Sequence, residues 1–137
     1  MLQPKRQKYR KSFRGQLGRL ARSGSHLIFG EYGLKSLSRG WLTSAQIEAG
    51  RKVIAHATKR EGKILIRVFP DRPRTAKGQG VGMGAGKGEI VGYLAAVAPG
   101  RILFELAGVN REIAREAFRK AADKLPFETK LVSKEEK

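Results

Sequence analysis

From Gly78 to Gly88 every even-numbered residue is glycine, in the stretch "KGQGVGMGAGKGE" at residues 77–89. A run of this kind brings almost no side chain to a core and loses more backbone freedom on ordering than any other composition. It forms neither a helix nor a buried strand, so the fold has to be built from what lies on either side. It also fails as a nucleotide site. A dinucleotide fingerprint needs its second and third glycines three positions apart, which glycines confined to even positions cannot supply. The phosphate-binding loop of NTPases needs a glycine five residues ahead of Gly-Lys-Ser/Thr. Ahead of Gly86-Lys87 that position is Val81, and Gly88 follows the lysine. The run therefore reads as the tip of a loop spanning Asp71 to Glu89, with Arg72, Arg74 and Lys77 on its outgoing limb. Folded out and back, it reaches on the order of 30 Å from its base at ~3.3 Å per residue.

The flanking sequence alternates between two hydrophobic periods. "HLIFGEYGLKSL" reads as one or two short strands interrupted by Gly30 and Gly33. Thr43, with Gln46 three residues on, predicts a capping box that opens a helix running to Gly62, and Leu42 is placed to staple against Ile47. Ile47, Gly50, Ile54 and Ala57 follow at helical spacing as its buried stripe, with Val53 beside them. "KILIRVFP" alternates as a strand, with Ile64, Ile66 and Val68 on one face and Lys63 and Arg67 on the other. "IVGYLAAVAPGRILFELAG" reads as two strands joined at Pro99-Gly100, the pair that suits the centre of a type II turn. Asn110 then caps a second helix, in which Ile113, Ala114, Ala117, Phe118, Ala121, Ala122 and Leu125 share a face and Glu116 pairs with Lys120. Pro126 ends that helix, and "FETKLV" is a last short strand. The fold class implied is α+β: a single domain of two helices packed on a mostly antiparallel sheet, with a basic N-terminal arm and a long glycine-rich loop. The arm spans 1–25, the α+β domain 26–132 and a charged tail 133–137.

Charge narrows the partner. Lys and Arg total 29 against 12 acidic residues, a net charge of +17, whereas small soluble domains ordinarily carry about 2–8. A compact domain this basic repels itself unless a polyanion neutralises it, which points to nucleic acid. The arm carries Lys5, Arg6, Lys8, Arg10, Lys11, Arg14, Arg19 and Arg22 with no acidic residue, and Tyr9 and Phe13 lie among them. Such a block is a solvated tail or an arm ordered against phosphates, and the total charge favours the arm. Arg51, Lys52, Lys59 and Arg60 fall largely off the first helix's buried stripe, where they serve equally as a solvated face or a phosphate-facing flank.

Catalytic chemistry finds no footing. There is no cysteine, which removes disulfides, thiolate zinc sites and cysteine nucleophiles together. His26 and His56, the only histidines, stand thirty residues apart with no acidic cluster around either, so no metal and no cofactor is expected. Glu112 and Glu116 suit helix electrostatics, and Asp71 suits a turn or an ion pair with Arg72 or Arg74. No apolar run approaches the ~20 residues of a membrane span, so no membrane partner is expected. The basic N-terminus has no apolar block behind it and is not a secretory signal, although composition alone does not exclude an Arg-rich transit peptide.

Eight further stretches resemble one family in register along nearly the whole chain: "PKRQKYRK" with "RG", "FGEYGL", "AQIEAGR", "GKILIRVFPD", "MGAGKG", "PGRILFELAGV", "AREA" and "KLPFETK". The chain is identified as resembling the L-sixteen family of bacterial large-subunit ribosomal proteins. The resemblance implies a non-catalytic α+β protein that binds large-subunit rRNA and helps shape the aminoacyl-tRNA site. Its arm and loop would extend toward A-site tRNA, with P-site tRNA as a further contact, among neighbouring ribosomal proteins and without homo-oligomerisation. The tRNA-proximal loop would be Gly80, Val81, Gly82, Met83, Gly84, Ala85, Gly86 and Lys87. Here the sequence departs from the family, whose loop usually reads Arg-Met-Gly-Lys-Gly-Lys-Gly. Gly82 and Ala85 replace two of its cations, and the first of these is an arginine hydroxylated in some members. Because the family-like motif begins almost at Met1, no separate transit peptide is expected. A bacterial cytoplasm is then the expected location, with an organellar ribosome as the alternative. The rival functions are a free-standing RNA- or DNA-binding regulator, separable by sedimentation with large subunits, and a small nuclease, separable by turnover.

Overall fold

The structure is a computed structural model that describes residues 2–6, 24–76 and 89–134. Residues 7–23 of the arm, the glycine run at 77–88 and the last three residues lie outside the described residues. In chain order the elements are β1 (Tyr32–Ser36), β2 (Gly40–Thr43), α1 (Ser44–Ala57), β3 (Lys63–Ile66), β4 (Arg72–Ala76), β5 (Glu89–Val97), β6 (Ile102–Ala107), α2 (Arg111–Ala122) and β7 (Thr129–Ser133). The strands form two antiparallel sheets, ordered β3-β6-β1-β7 and β2-β5-β4. The α+β class expected from the sequence is what forms.

Local signals fix both helices. Thr43 Oγ1 accepts from Gln46 N at 3.1 Å while Thr43 N donates to Gln46 Oε1 at 2.9 Å, which closes the capping box. Asn110 Oδ1 accepts from Ile113 N at 2.9 Å and opens α2. The stripes fall largely as their spacing required. Ile47, Gly50 and Ile54 are buried on α1, and Ala114, Ala117, Phe118 and Ala121 on α2, with Val53, Ala57, Ile113, Ala122 and Leu125 half-buried at the margins. A methyl group added at Gly50 would come within 3.1 Å of the Phe104 ring, so the α1 backbone lies almost directly on β6. Phe104 and Phe118 are shielded completely or nearly so, and cutting either to alanine should cost about 3–5 kcal/mol.

Three expectations need correcting. The two strands on either side of Pro99-Gly100 form as expected, but they do not share one sheet: β5 belongs to the smaller sheet and β6 to the larger. The turn itself is as expected: Gly100 has φ of +93° and Arg101 N donates to Ala98 O at 3.2 Å. Its remaining groups bind the end of β1, with Gly100 N donating to Ser36 O at 2.7 Å and Ser36 N to Arg101 O at 2.8 Å. That contact turns the chain into the neighbouring sheet, so the single expected sheet becomes two.

The second correction concerns the loop drawn from Asp71 to Glu89. Its base is paired: β4 runs along β5 from Arg72 opposite Leu94 to Ala76 opposite Glu89. Pro73 and two arginines made this stretch read as loop, yet β4 is an edge strand, where a residue without an N–H is tolerated. Only residues 77–88 are left between the two strands. Third, α1 ends at Ala57 rather than at Gly62, the strand after it at Ile66 rather than Pro70, and α2 at Ala122 rather than at Pro126. Lys59 N donates to His56 O at 3.2 Å and Arg60 N to Ala55 O at 2.9 Å, the two hydrogen bonds of a Schellman ending. Gly62, at φ +73°, is reserved for another reason: a Cβ there would lie 2.2 Å from Ala107 O, where β3 enters beside the end of β6.

Candidate nucleic-acid interface

The Schellman ending places a lysine where glycine is usual. Lys59 and Arg60 are exposed and adopt φ of +54° and +62°, the left-handed region that residues with a Cβ occupy at a cost. Lys59 thereby lines a cleft of about 740 Å³ with Lys52 and His56 from α1. Lys120, Asp123 and Lys124, from the end of α2, complete it. Four ammonium groups against one carboxylate make this a cationic groove, and both helices present their negative C-terminal ends toward it, which favours cations there. The sequence had singled out Lys52 and Lys59 for RNA, but Lys120 only as the partner of Glu116 and Lys124 not at all. Lysines in the last turn of an amphipathic helix are the signal that was available.

Other expected residues are placed differently. Arg51 is half-buried and bonded by its guanidinium to Glu48 one turn earlier, so it is engaged within its own helix. That contact holds the Glu48 carboxyl below its ordinary value. Arg72 and Arg74 are exposed on the edge strand β4, and Arg72 lines a small cleft of about 280 Å³ with Asp71 and Arg101. Lys5 and Arg6 are exposed, while Leu2 packs partly buried against the core, so the start of the basic segment touches the domain body. Lys8, Arg10, Lys11, Arg14, Arg19, Arg22, Lys77 and the loop from Gly80 to Lys87 lie outside the described residues. The Glu116–Lys120 pair is present at 3.9 Å, but Arg119 lies closer, with Nη2 2.6 Å from Glu116 Oε1.

One charged residue was not singled out at all. Glu105, in the middle of β6, has no solvent exposure. Its Oε1 accepts the backbone N–H groups of Ile28, Phe29 and Gly30 at 2.9, 3.0 and 3.0 Å. Its Oε2 accepts from Arg67 Nη1 at 2.5 Å, and Arg67 Nη1 also reaches His26 O at 3.3 Å. Burial pushes the Glu105 carboxyl up, but the Gly30 N–H, the Arg67 guanidinium and the N–H groups of Ile28 and Phe29 together hold it below its ordinary value. A lone carboxylate inside an apolar strand demands such partners, and that was the overlooked clue. Arg67, expected simply on the polar face of its strand, is the partly buried partner of this carboxylate.

Among the described residues, no three His, Asp or Glu side chains cluster so as to hold a metal ion, and both histidines are exposed. No helix among them is long and apolar enough to cross a membrane. These features place the chain in the class of basic α+β proteins suited to a polyanionic partner. Residues 4–132 match the model of the ribosomal protein L16p/L10e family, and the chain belongs to that family. The large ribosomal subunit protein uL16 of Kosmotoga olearia is 53% identical over 136 residues, covering 99% of this chain and 96% of the relative. That of Fusobacterium nucleatum is 53% identical over 137 residues, covering 100% and 96%. That of Halorhodospira halophila is 54% identical over 134 residues, covering 98% of each. The family is structural rather than enzymatic.

Proposed function

We propose that this chain holds large-subunit rRNA chiefly by neutralising backbone phosphates, and that it does so near the aminoacyl-tRNA site. As a member of its family it is a structural constituent of the large ribosomal subunit and not an enzyme. The observation that carries the RNA-binding reading is the groove between the helix ends, where Lys52, Lys59, Lys120 and Lys124 converge around one open volume. Arg72 and Arg74 on the β4 edge form a second cationic region beside the loop. The basic residues of the arm contribute further positive charge, and the family supports neighbouring ribosomal proteins as further partners. The bacterial origin of the relatives supports a bacterial cytoplasmic ribosome as its location.

Affinity for large-subunit rRNA, measured against salt, tests the mechanism. Each neutralised phosphate contributes roughly 0.7–0.9 to the negative log–log slope. Replacing Lys52, Lys59, Lys120 and Lys124 together by alanine should reduce that slope by about three. An affinity that hardly changes with salt would sink the proposal. The tRNA contact has its own test. Gly82→Arg with Ala85→Lys restores the cations usual in the family, and tRNA binding to reconstituted subunits should tighten and become more salt-sensitive. No response would remove the loop tip from the tRNA-facing surface.

A further inference from the structure

Ile28 and Phe29 are 60% and 61% exposed, the two most exposed large apolar side chains among the described residues. Their backbone is nevertheless held firmly. Three consecutive N–H groups converge on Glu105 Oε1, and a Cβ at Gly30 would lie 2.8 Å from Leu106 O, so the segment runs hard against β6. Arg67 is held by the other oxygen of the same carboxylate, is only 13% exposed, and its guanidinium carbon lies 5.7 Å from the centroid of the Phe29 ring. One side of the ring therefore faces a partly buried cation, while most of its surface faces solvent.

Immediately before this pair, Ser25, His26 and Leu27 line a cleft of about 600 Å³ together with Lys35 on β1 and Lys130 and Lys134 at β7. An exposed aromatic ring backed by arginine, next to a groove carrying three lysines, matches what single-stranded nucleic acid requires. The ring offers a face for a base, and the lysines offer charge for its phosphates. Ile28, Phe29 and the cleft-lining Leu37 are a small apolar patch beside Arg67 and three lysines, less than a stable protein interface needs.

We propose that this face of the four-stranded sheet is a second rRNA site, in which Phe29 stacks on an unpaired base and Lys35, Lys130 and Lys134 take the adjoining phosphates. Arg67 and Glu105 are positioning residues that fix the ring before RNA arrives. The proposal rests on the rRNA-binding reading above, but uses residues separate from the groove at the helix ends.

The test uses the full chain and deproteinised large-subunit rRNA, with affinity measured across a range of salt and base reactivity mapped chemically. Phe29→Ala should weaken binding roughly tenfold, within the range for loss of one base–aromatic stack, with an unchanged salt slope. It should also expose one unpaired base that the wild-type protein protects. Phe29→Tyr should bind like wild type and Phe29→Leu like the alanine variant. Replacing Lys35, Lys130 and Lys134 by alanine should lower the salt slope by about two and a half. Thermal melting of the Phe29 variants should match wild type, because the side chain is exposed.

If Phe29→Leu binds as well as wild type, the patch is an apolar contact, as for a neighbouring protein, and the stacking proposal is overturned. It is equally overturned if Phe29→Ala leaves affinity and base reactivity unchanged while wild-type binding remains salt-dependent. Failure of the wild-type protein to bind rRNA at all would instead overturn the broader reading on which this one rests.

Discussion

Glu105 and Glu116 each bind an arginine, and the two pairs have almost nothing else in common. The first joins side chains 0% and 13% exposed, and the second joins side chains 51% and 63% exposed. Glu116 holds Arg119 from three positions away, a contact that water and salt screen and that an isolated helix would also make. Glu105 holds Arg67 from 38 positions away and three backbone N–H groups from still farther. The same chemistry therefore does two jobs. Inside, it spends cationic charge to fix where a segment lies; outside, it leaves cations available to a ligand.

The strongest way to break this contrast is Glu105→Ala. It leaves the Arg67 guanidinium and three N–H groups without their acceptor, and should cost about 3–5 kcal/mol in chemical denaturation. A loss as small as that of an exposed substitution would mean that water replaces the carboxylate freely. Glu105→Gln sharpens the point through pH. Because the folded protein holds this carboxyl below its ordinary value of 4.5, the unfolded chain binds the proton more readily. The stability it contributes is complete above that value and drains away as pH falls through the lower folded-state value. Wild-type stability should therefore drop on acidification below pH 4.5, and the Gln variant should start lower and drop less steeply.

Lys59→Gly should act in the opposite sense. Relief of the left-handed strain should stabilise the fold by about 1 kcal/mol, while rRNA binding loses about one unit of salt slope. A variant that gains stability without losing slope would show that Lys59 carries no phosphate. Glu116→Ala should be the smallest change, with a thermal midpoint indistinguishable from wild type. A clear fall would show the outer pair to be more than a solvated contact.

What the sequence made legible follows the same division between near and far. The capping box at Thr43 and Gln46, the Asn110 cap and the Pro99-Gly100 turn involve residues within a few positions, whose chemistry has no other local use. The groove was half legible, since Lys52 and Lys59 stood out on α1, whereas Lys120 and Lys124 join them only through the packing of two distant helices. Glu105 was hidden for a stronger reason. Its partners lie 38 and 75 to 77 positions earlier, and a carboxylate in an apolar strand says that partners exist without saying which they are. The division of strands between two sheets was likewise set by Ser36 bonding to the turn at Gly100 and Arg101, a contact that no local pattern encodes.

The strand order β3-β6-β1-β7 also sets a timetable for synthesis. β1 receives its neighbours late: β6 from residues 102–107, and then β7, which lays Ser133 opposite Tyr32. While the chain is being made, β1 emerges early and waits with bare hydrogen-bonding edges, attached to a strongly cationic polymer. Until Thr129–Ser133 has left the exit tunnel, that edge is open to any other extended chain. The most C-terminal described strand thus determines when β1 is covered on both sides, and it moves the open edge from β1 to itself.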